Sequence, residues 1–164
     1  MARIRKIGLD RGFNVMTQNP QQFVITDFNV PGSVRLKKIG NTAIRTQHRA
    51  SCHCGAVILE IHLPEGVPDP HRCDCSFCKR KGAVVAAVAW ADLKVIRGKS
   101  ALSRYQFGKH VAEHYFCKNC GTYTHHRRSN NPEEFGFNIG CLEGVNPYDL
   151  DDVPVADGGV WNSL

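Results

Sequence analysis

A chain of 164 residues with 42% hydrophobic and 22% charged residues has the size and balance of one ordinary globular domain able to bury its own core. No apolar run approaches the ~20 residues of a membrane helix. The basic start Met1–Ile7 lacks the apolar stretch of a secretory signal. The expectation is a cytoplasmic, reducing setting without membrane association, where clustered cysteines serve as metal ligands rather than disulfides.

The formal charge of +6 is unevenly spread. Residues 1–50 carry nine Lys/Arg against Asp10 and Asp27, a balance of +7, and residues 51–164 carry twelve against thirteen acids, a balance of −1. The high pI therefore does not point to nucleic acid gripped by the cysteine-bearing part of the chain.

In chain order, residues 1–42 read as a basic N-terminal extension, rich in Gly, Asn and Gln and poor in hydrophobic periodicity. Two extended candidates within it, Gln22 to Phe28 and Ser33 to Ile39, flank the turn signal Pro31-Gly32 and suit a hairpin added to the main sheet, or a mobile arm. Residues 43–164 read as one zinc-binding domain. The segment Ala56 to Leu63 is a strand ending at Pro64-Glu65-Gly66, and the Val- and Ala-rich run Val84 to Trp90 has the profile of a central strand. Leu93 to Ile96, Leu102 to Phe107, Glu113 to Phe116, Thr122 to His126 and Phe135 to Ile139 follow as β-candidates. Helical signal is confined to single turns at Ser76 to Lys81 and Pro147 to Asp151. Many short strands at close spacing indicate an all-β, mainly β class. From Glu133 the chain carries seven acids and no Lys or Arg, the pattern of a solvated surface.

Chemistry concentrates in three cysteine clusters. Cys52-His53-Cys54-Gly55 and Cys117-Lys118-Asn119-Cys120-Gly121 are paired-cysteine knuckles, each closed by a glycine that tolerates the positive φ of a tight wrap. Together they supply four sulfurs, the set for a closed, tetrahedral structural zinc at Cys52, Cys54, Cys117 and Cys120. Between them lies Cys73-Asp74-Cys75-Ser76-Phe77-Cys78, one ligand short of a closed site. Catalytic zinc keeps an open position, so Cys73, Cys75 and Cys78 are the candidate active centre, with water, His71 or an incoming thiol as the fourth ligand. An iron–sulfur cluster would need Cys141 as its fourth cysteine, and a Cys75/Cys78 redox pair would need a thioredoxin-like context that is missing. Zinc stands ahead of both, at two ions per chain.

Lys79, Arg80 and Lys81 follow the trio directly. They suit either a solvated turn or a cationic patch that offsets the anionic zinc–thiolate centre and holds the carboxylates of a ligand. His48, His62, His110, His114, His125 and His126 show no ligand spacing, and Cys141 reads as a packed small apolar residue.

On Ser51-Cys52-His53-Cys54-Gly55, Cys73-Asp74-Cys75-Ser76-Phe77-Cys78 and Phe116-Cys117-Lys118-Asn119-Cys120-Gly121, the sequence resembles the glutathione-dependent formaldehyde-activating enzymes, a family that includes the centromere protein V-like proteins. Phe137-Asn138-Ile139-Gly140-Cys141-Leu142-Glu143 and Asp157-Gly158-Gly159-Val160-Trp161 extend the likeness over roughly residues 45–161. The resemblance implies small, coiled antiparallel sheets around a structural zinc, with the trio at the active zinc. It also implies a carbon–sulfur lyase activity that forms or cleaves S-hydroxymethylglutathione or a related thiol–aldehyde adduct, with glutathione as co-substrate. Expected partners are thus a small-molecule thiol and aldehyde, and a homodimer is left open. The rival class is a non-catalytic, zinc-stabilised binding module that applies its basic N-terminal arm to nucleic acid or an acidic partner.

Overall fold

The computed structural model describes residues 34–159. The strand candidate Gln22 to Phe28, most of the N-terminal extension and residues 160–164 lie outside the described residues.

Strands are short because Gly, Pro and Asn interrupt every apolar run, and they assemble into several small sheets. Strands β1 (Arg35–Leu36), β2 (Lys38–Ile39) and β3 (Thr42–Ala43) open the described chain. β2 and β3 form a hairpin, and β1 pairs with β6 (Val67–Pro68). Ile39 is buried and joins the core. The first substantial sheet has the order β4-β5-β9, from Gln47–Ser51, Ile58–His62 and Leu93–Arg97. Its alternation places Ala50, Leu59 and Ile61 inward.

The second sheet has five antiparallel strands in the order β10-β11-β12-β13-β8. They are Leu102–Tyr105, Glu113–Cys117, Tyr123–Arg127, Glu134–Asn138 and Val85–Ala89 respectively. Cross-strand pairing sets His114 opposite His126 and Tyr115 opposite His125. Successive side chains on a strand point to opposite faces, so the two pairs lie on different faces. The main core joins the two sheets, with Leu59 and Ile61 from one and Ala86 and Phe137 from the other.

The Val84 to Trp90 segment departs from expectation. β8 is an edge strand of the five-stranded sheet, not a central one, and Trp90 opens a 3₁₀ turn. Its apolar character has another cause. The segment at His71 covers the open edge, exchanging both backbone hydrogen bonds with Val85 at 2.9 Å. Val85 and Ala86 are buried without a full strand on that side.

The helical content around the clusters is one short helix, α1 (Cys78–Lys81), closed by Gly82, whose N–H reaches the Cys78 carbonyl. Just before it runs β7 (Arg72–Cys73), which pairs in parallel with β14 (Val155–Ala156). That parallel pair was not foreseen from sequence, since two residues carry no periodicity. It brings the acidic C-terminal segment against the cysteine trio.

Candidate metal centres and active site

The two outer knuckles converge. Cys52 directly follows β4, Cys117 ends β11, and Cys54 and Cys120 follow two and three residues later. A β-bulge between Tyr115 and Phe116 shifts the register just before Cys117, a device that re-aims a strand end. Gly55 and Gly121 both adopt φ of +72°, and each returns its N–H to the first cysteine's carbonyl, at 2.9 Å to Cys52 and 2.7 Å to Cys117. The Cys-Gly pattern predicts this wrap.

All four sulfurs lie within 4.8 Å of one another. Cys52 to Cys54 is 3.6 Å and Cys54 to Cys117 is 3.7 Å. Four sulfurs at 2.3 Å from a tetrahedral zinc would stand about 3.8 Å apart, so the set fits such an ion. Val57 N–H donates to Cys52 Sγ at 3.2 Å. The Thr122 hydroxyl, at 3.2 Å, is the leading cause that brings the Cys120 thiol down to about 5.

The trio is assembled by different means. Cys73 ends β7, Cys75 sits in the connecting loop and Cys78 opens α1, with all three sulfurs within 4.8 Å. Asp74 holds the loop from the far side: its N–H donates to the Ala156 carbonyl and its carboxylate accepts the Gly158 N–H at 2.6 Å. Cys75 Sγ accepts the Cys78 N–H at 3.3 Å. Hydrogen bonds from the Cys73 and Cys78 sulfurs, in that order, pull Cys75 down to about 2, while those with Cys75 and then Cys78 push Cys73 well above the thiol range. Three crowded sulfurs thus release one proton readily and the rest only against added positive charge, which is the electrostatic demand a cation meets.

His71 lies outside the sulfur group. Its Nδ1 donates to the Asp69 carbonyl at 2.9 Å, and burial lowers its pKa.

The cationic run divides. Lys79 and Arg80 are exposed on α1, and Arg80 donates to the Ser76 carbonyl. Lys81 lies three residues after Cys78, on the same helical face, and turns inward. Burial lowers its pKa, opposed by the thiolates of Cys78, Cys73 and Cys75, which favour its charge. Its Nζ stands 3.6 Å above the Tyr123 ring and 5.5 Å from the centre of Phe77, a cation–π arrangement. Three thiolates would exceed a divalent ion by one negative charge, which Lys81 is placed to offset.

Aromatic rings wall this region. Phe77 packs on His114, Tyr105 and Phe107 at 4.5, 5.1 and 5.6 Å between centroids. His114 is 4% exposed, stacks on His126 across the β11–β12 pair, and is held down to about 4 by burial, then by Lys81. Its placement here was invisible in the sequence. The one available signal, its alternation with Phe116 on a strand, marks an inward face and nothing more.

Beside the four-sulfur centre opens a cavity of about 630 Å³, lined among others by Cys52, Thr122, Glu143 and Tyr148 and, from the residues flanking the trio, by Arg72 and Lys81; the trio's own cysteines do not line it. Its volume is that of a small-ligand pocket, about 300–1,000 Å³. Cys141 is buried and packs in the core beneath it, where burial pushes its thiol up to about 12.

The profile of the glutathione-dependent formaldehyde-activating enzyme family matches residues 47–153, spanning all three cysteine clusters. The chain belongs to this family. A provisionally named glutathione-dependent formaldehyde-activating enzyme of Halomonas elongata is 32% identical over 80 residues, which is 44% of this chain. The chain spans half the length of that relative. A Rhodobacter sphaeroides protein of known crystal structure is 54% identical and covers 66% of this chain and 99% of its own, with a TM-score of 0.64. Family membership agrees with the mainly β architecture and the ordered cysteine clusters. No helix among the described residues is long and apolar enough to cross a membrane.

Proposed function

We propose that the chain is a zinc-dependent carbon–sulfur lyase that joins the thiol of glutathione to an aldehyde, or splits the resulting adduct. One observation carries this: a three-sulfur cluster, one ligand short of closure, lies beside Lys81, which in turn lines a ligand-sized cavity. The four-sulfur cluster holds the structural zinc, and Cys73, Cys75 and Cys78 hold the active one.

A zinc ion at the trio supplies positive charge that favours thiolate over thiol at neutral pH. A free thiol, with pKa about 8.5, is only slightly ionised there. The chain's own groups do the rest. Lys81 offsets the surplus negative charge. Arg72, at the cavity wall, presents a planar donor fork suited to a tripeptide carboxylate. Of the cationic run Lys79-Arg80-Lys81, Lys81 lines that cavity together with Arg72, and the two form the carboxylate-facing side of this proposal. Phe77, Phe107 and His114 shield the centre from water and strengthen electrostatic interactions within it.

The test is metal content and turnover on purified protein. Two zinc ions per chain, with glutathione perturbing the environment of one, and loss of glutathione-dependent turnover in Cys75→Ser, support the reading. Full turnover in Cys75→Ser sinks it.

A further inference from the structure

Among the described residues, two buried side-chain polar atoms have no hydrogen-bond partner in the protein: Lys81 Nζ and His114 Nδ1. Buried polar groups are satisfied in the great majority of cases, so each exception needs an explanation. These two belong to elements distant in sequence, α1 and β11, yet they share neighbours. Both face Phe77, at 5.5 Å from Lys81 Nζ and 4.5 Å between the Phe77 and His114 rings. Both face Tyr123, at 3.6 Å from Lys81 Nζ and 6.5 Å between the Tyr123 and His114 rings. Both feel the charge at Cys75. Metal does not account for them. An ammonium is no ligand, and His114 is outside the group of sulfurs close enough to share an ion.

Two unpartnered groups converging beside a nucleophile centre are what an absent acceptor leaves behind. We propose that Lys81 Nζ and His114 Nδ1–H form an oxyanion pocket that takes the aldehyde oxygen of the substrate, or the hydroxyl oxygen of the adduct, while sulfur sits at the trio. This rests on the thiol–aldehyde reading and deepens it, naming the groups that receive the reacting oxygen. In the forward direction a sulfur lone pair forms the C–S bond, the carbonyl π pair moves to oxygen, and the proton lost by the thiol returns to that oxygen through solvent. Cleavage is the reverse. Donors placed where charge develops, in a water-poor aromatic enclosure, stabilise the transition state more than the neutral carbonyl. A lysine already held over the Tyr123 face needs little reorganisation to serve.

The test uses the metal-loaded full chain and formate, a small oxyanion probe that needs no glutathione. Formate is titrated into wild type, Lys81→Met, Lys81→Arg and His114→Phe, with calorimetry and the ¹⁵N shifts of the His114 imidazole as readouts, and metal per chain and glutathione affinity measured alongside. Expected are a formate-dependent shift of the His114 ring in wild type and about tenfold weaker formate binding or more in Lys81→Met, the scale of a lost charge-assisted hydrogen bond. Lys81→Arg, which keeps the charge that offsets the trio, should retain part of the affinity and both metals. Formate that leaves the His114 ring unmoved, or binds Lys81→Met as tightly as wild type, overturns the proposal. So does loss of one metal in His114→Phe, which would make His114 a ligand. Should Lys81→Met fail to fold, the wild-type ring shift and Lys81→Arg decide alone. A wild type that binds formate through these groups but never turns over glutathione and aldehyde would refute the lyase reading while leaving the oxyanion pocket standing.

Discussion

The Lys81 ammonium rests on the face of Tyr123, and the hydroxyl of that same tyrosine hydrogen-bonds with Nδ1 of His126. One ring thus links the cation beside the trio to a histidine that burial holds well below its ordinary pKa. Face and hydroxyl can be separated by substitution. Tyr123→Phe keeps the face for Lys81 and leaves His126 Nδ1 without its hydroxyl partner, so it should cost about 1–3 kcal/mol in urea unfolding and leave metal content unchanged. Tyr123→Leu loses the face as well and should unfold more easily than Tyr123→Phe. Equal stability of wild type and Tyr123→Phe would show that the hydroxyl contributes nothing.

The two cysteine clusters should differ in what their loss does. The four-sulfur set joins the end of β4 to the turn between β11 and β12, stitching the three-stranded sheet to the five-stranded one. Formation of such a site and folding are coupled. Cys117→Ala, at a fully buried position, should lose one metal per chain together with the cooperative thermal transition. Cys73→Ala, at the half-buried end of a two-residue strand, should lose one metal and keep the far-ultraviolet circular dichroism of the fold. Metal analysis paired with thermal melts checks both. A Cys117→Ala variant that melts like wild type would remove the structural role.

How far residues alone led is instructive at particular places. The knuckles were legible because Cys-x-Cys-Gly and Cys-x-x-Cys-Gly are local patterns, and Gly55 and Gly121 take the backbone conformation those patterns require. Most strands were legible because Leu93–Arg97 or Glu134–Asn138 alternate over five residues. The edge position of β8 was not, because an apolar run reports burial without reporting what does the burying, and here it is the His71 segment. The β7–β14 pair was hidden for the same kind of reason: Arg72 and Val155 meet only after the whole chain has folded. His114 was hidden most completely, since a histidine acquires a role from what tertiary packing brings beside it.

Gly136 offers a sharp packing test. A Cβ at this position would lie 2.0 Å from His126 Cε1 and 2.6 Å from Nδ1, and the imidazole is clamped between the Tyr123 hydroxyl and the His114 ring. It cannot swing clear without abandoning both. Gly136→Ala should therefore destabilise by about 1–3 kcal/mol, the scale of overpacking, and shift the His126 ring resonances. Unchanged denaturation midpoint and spectra would mean that the ring has room the structure does not show.

Acid should expose His125, on the opposite face of the same sheet. Its imidazole stacks on Tyr115 at 4.5 Å and its Nδ1 hydrogen-bonds with the Thr124 hydroxyl at 2.9 Å. Burial holds its pKa down to about 4, against 6.5 in the unfolded chain. Above 6.5 both states are neutral and the contribution to stability is complete. As pH falls from 6.5 towards 4 the unfolded chain takes up a proton that the folded one refuses, so stability drops, and below 4 the loss levels off. The full span corresponds to roughly 3 kcal/mol, as an order of magnitude. His125→Phe preserves a ring against Tyr115 and removes the titration, so its unfolding free energy should fall less steeply than that of wild type between pH 6.5 and 4. Both proteins carry the same cysteines, so any effect of acid on those clusters is common to the two and the difference in slope is the quantity to read. Parallel slopes would mean that His125 protonates as easily folded as unfolded, and that the face between β9 and β10 admits water to its imidazole.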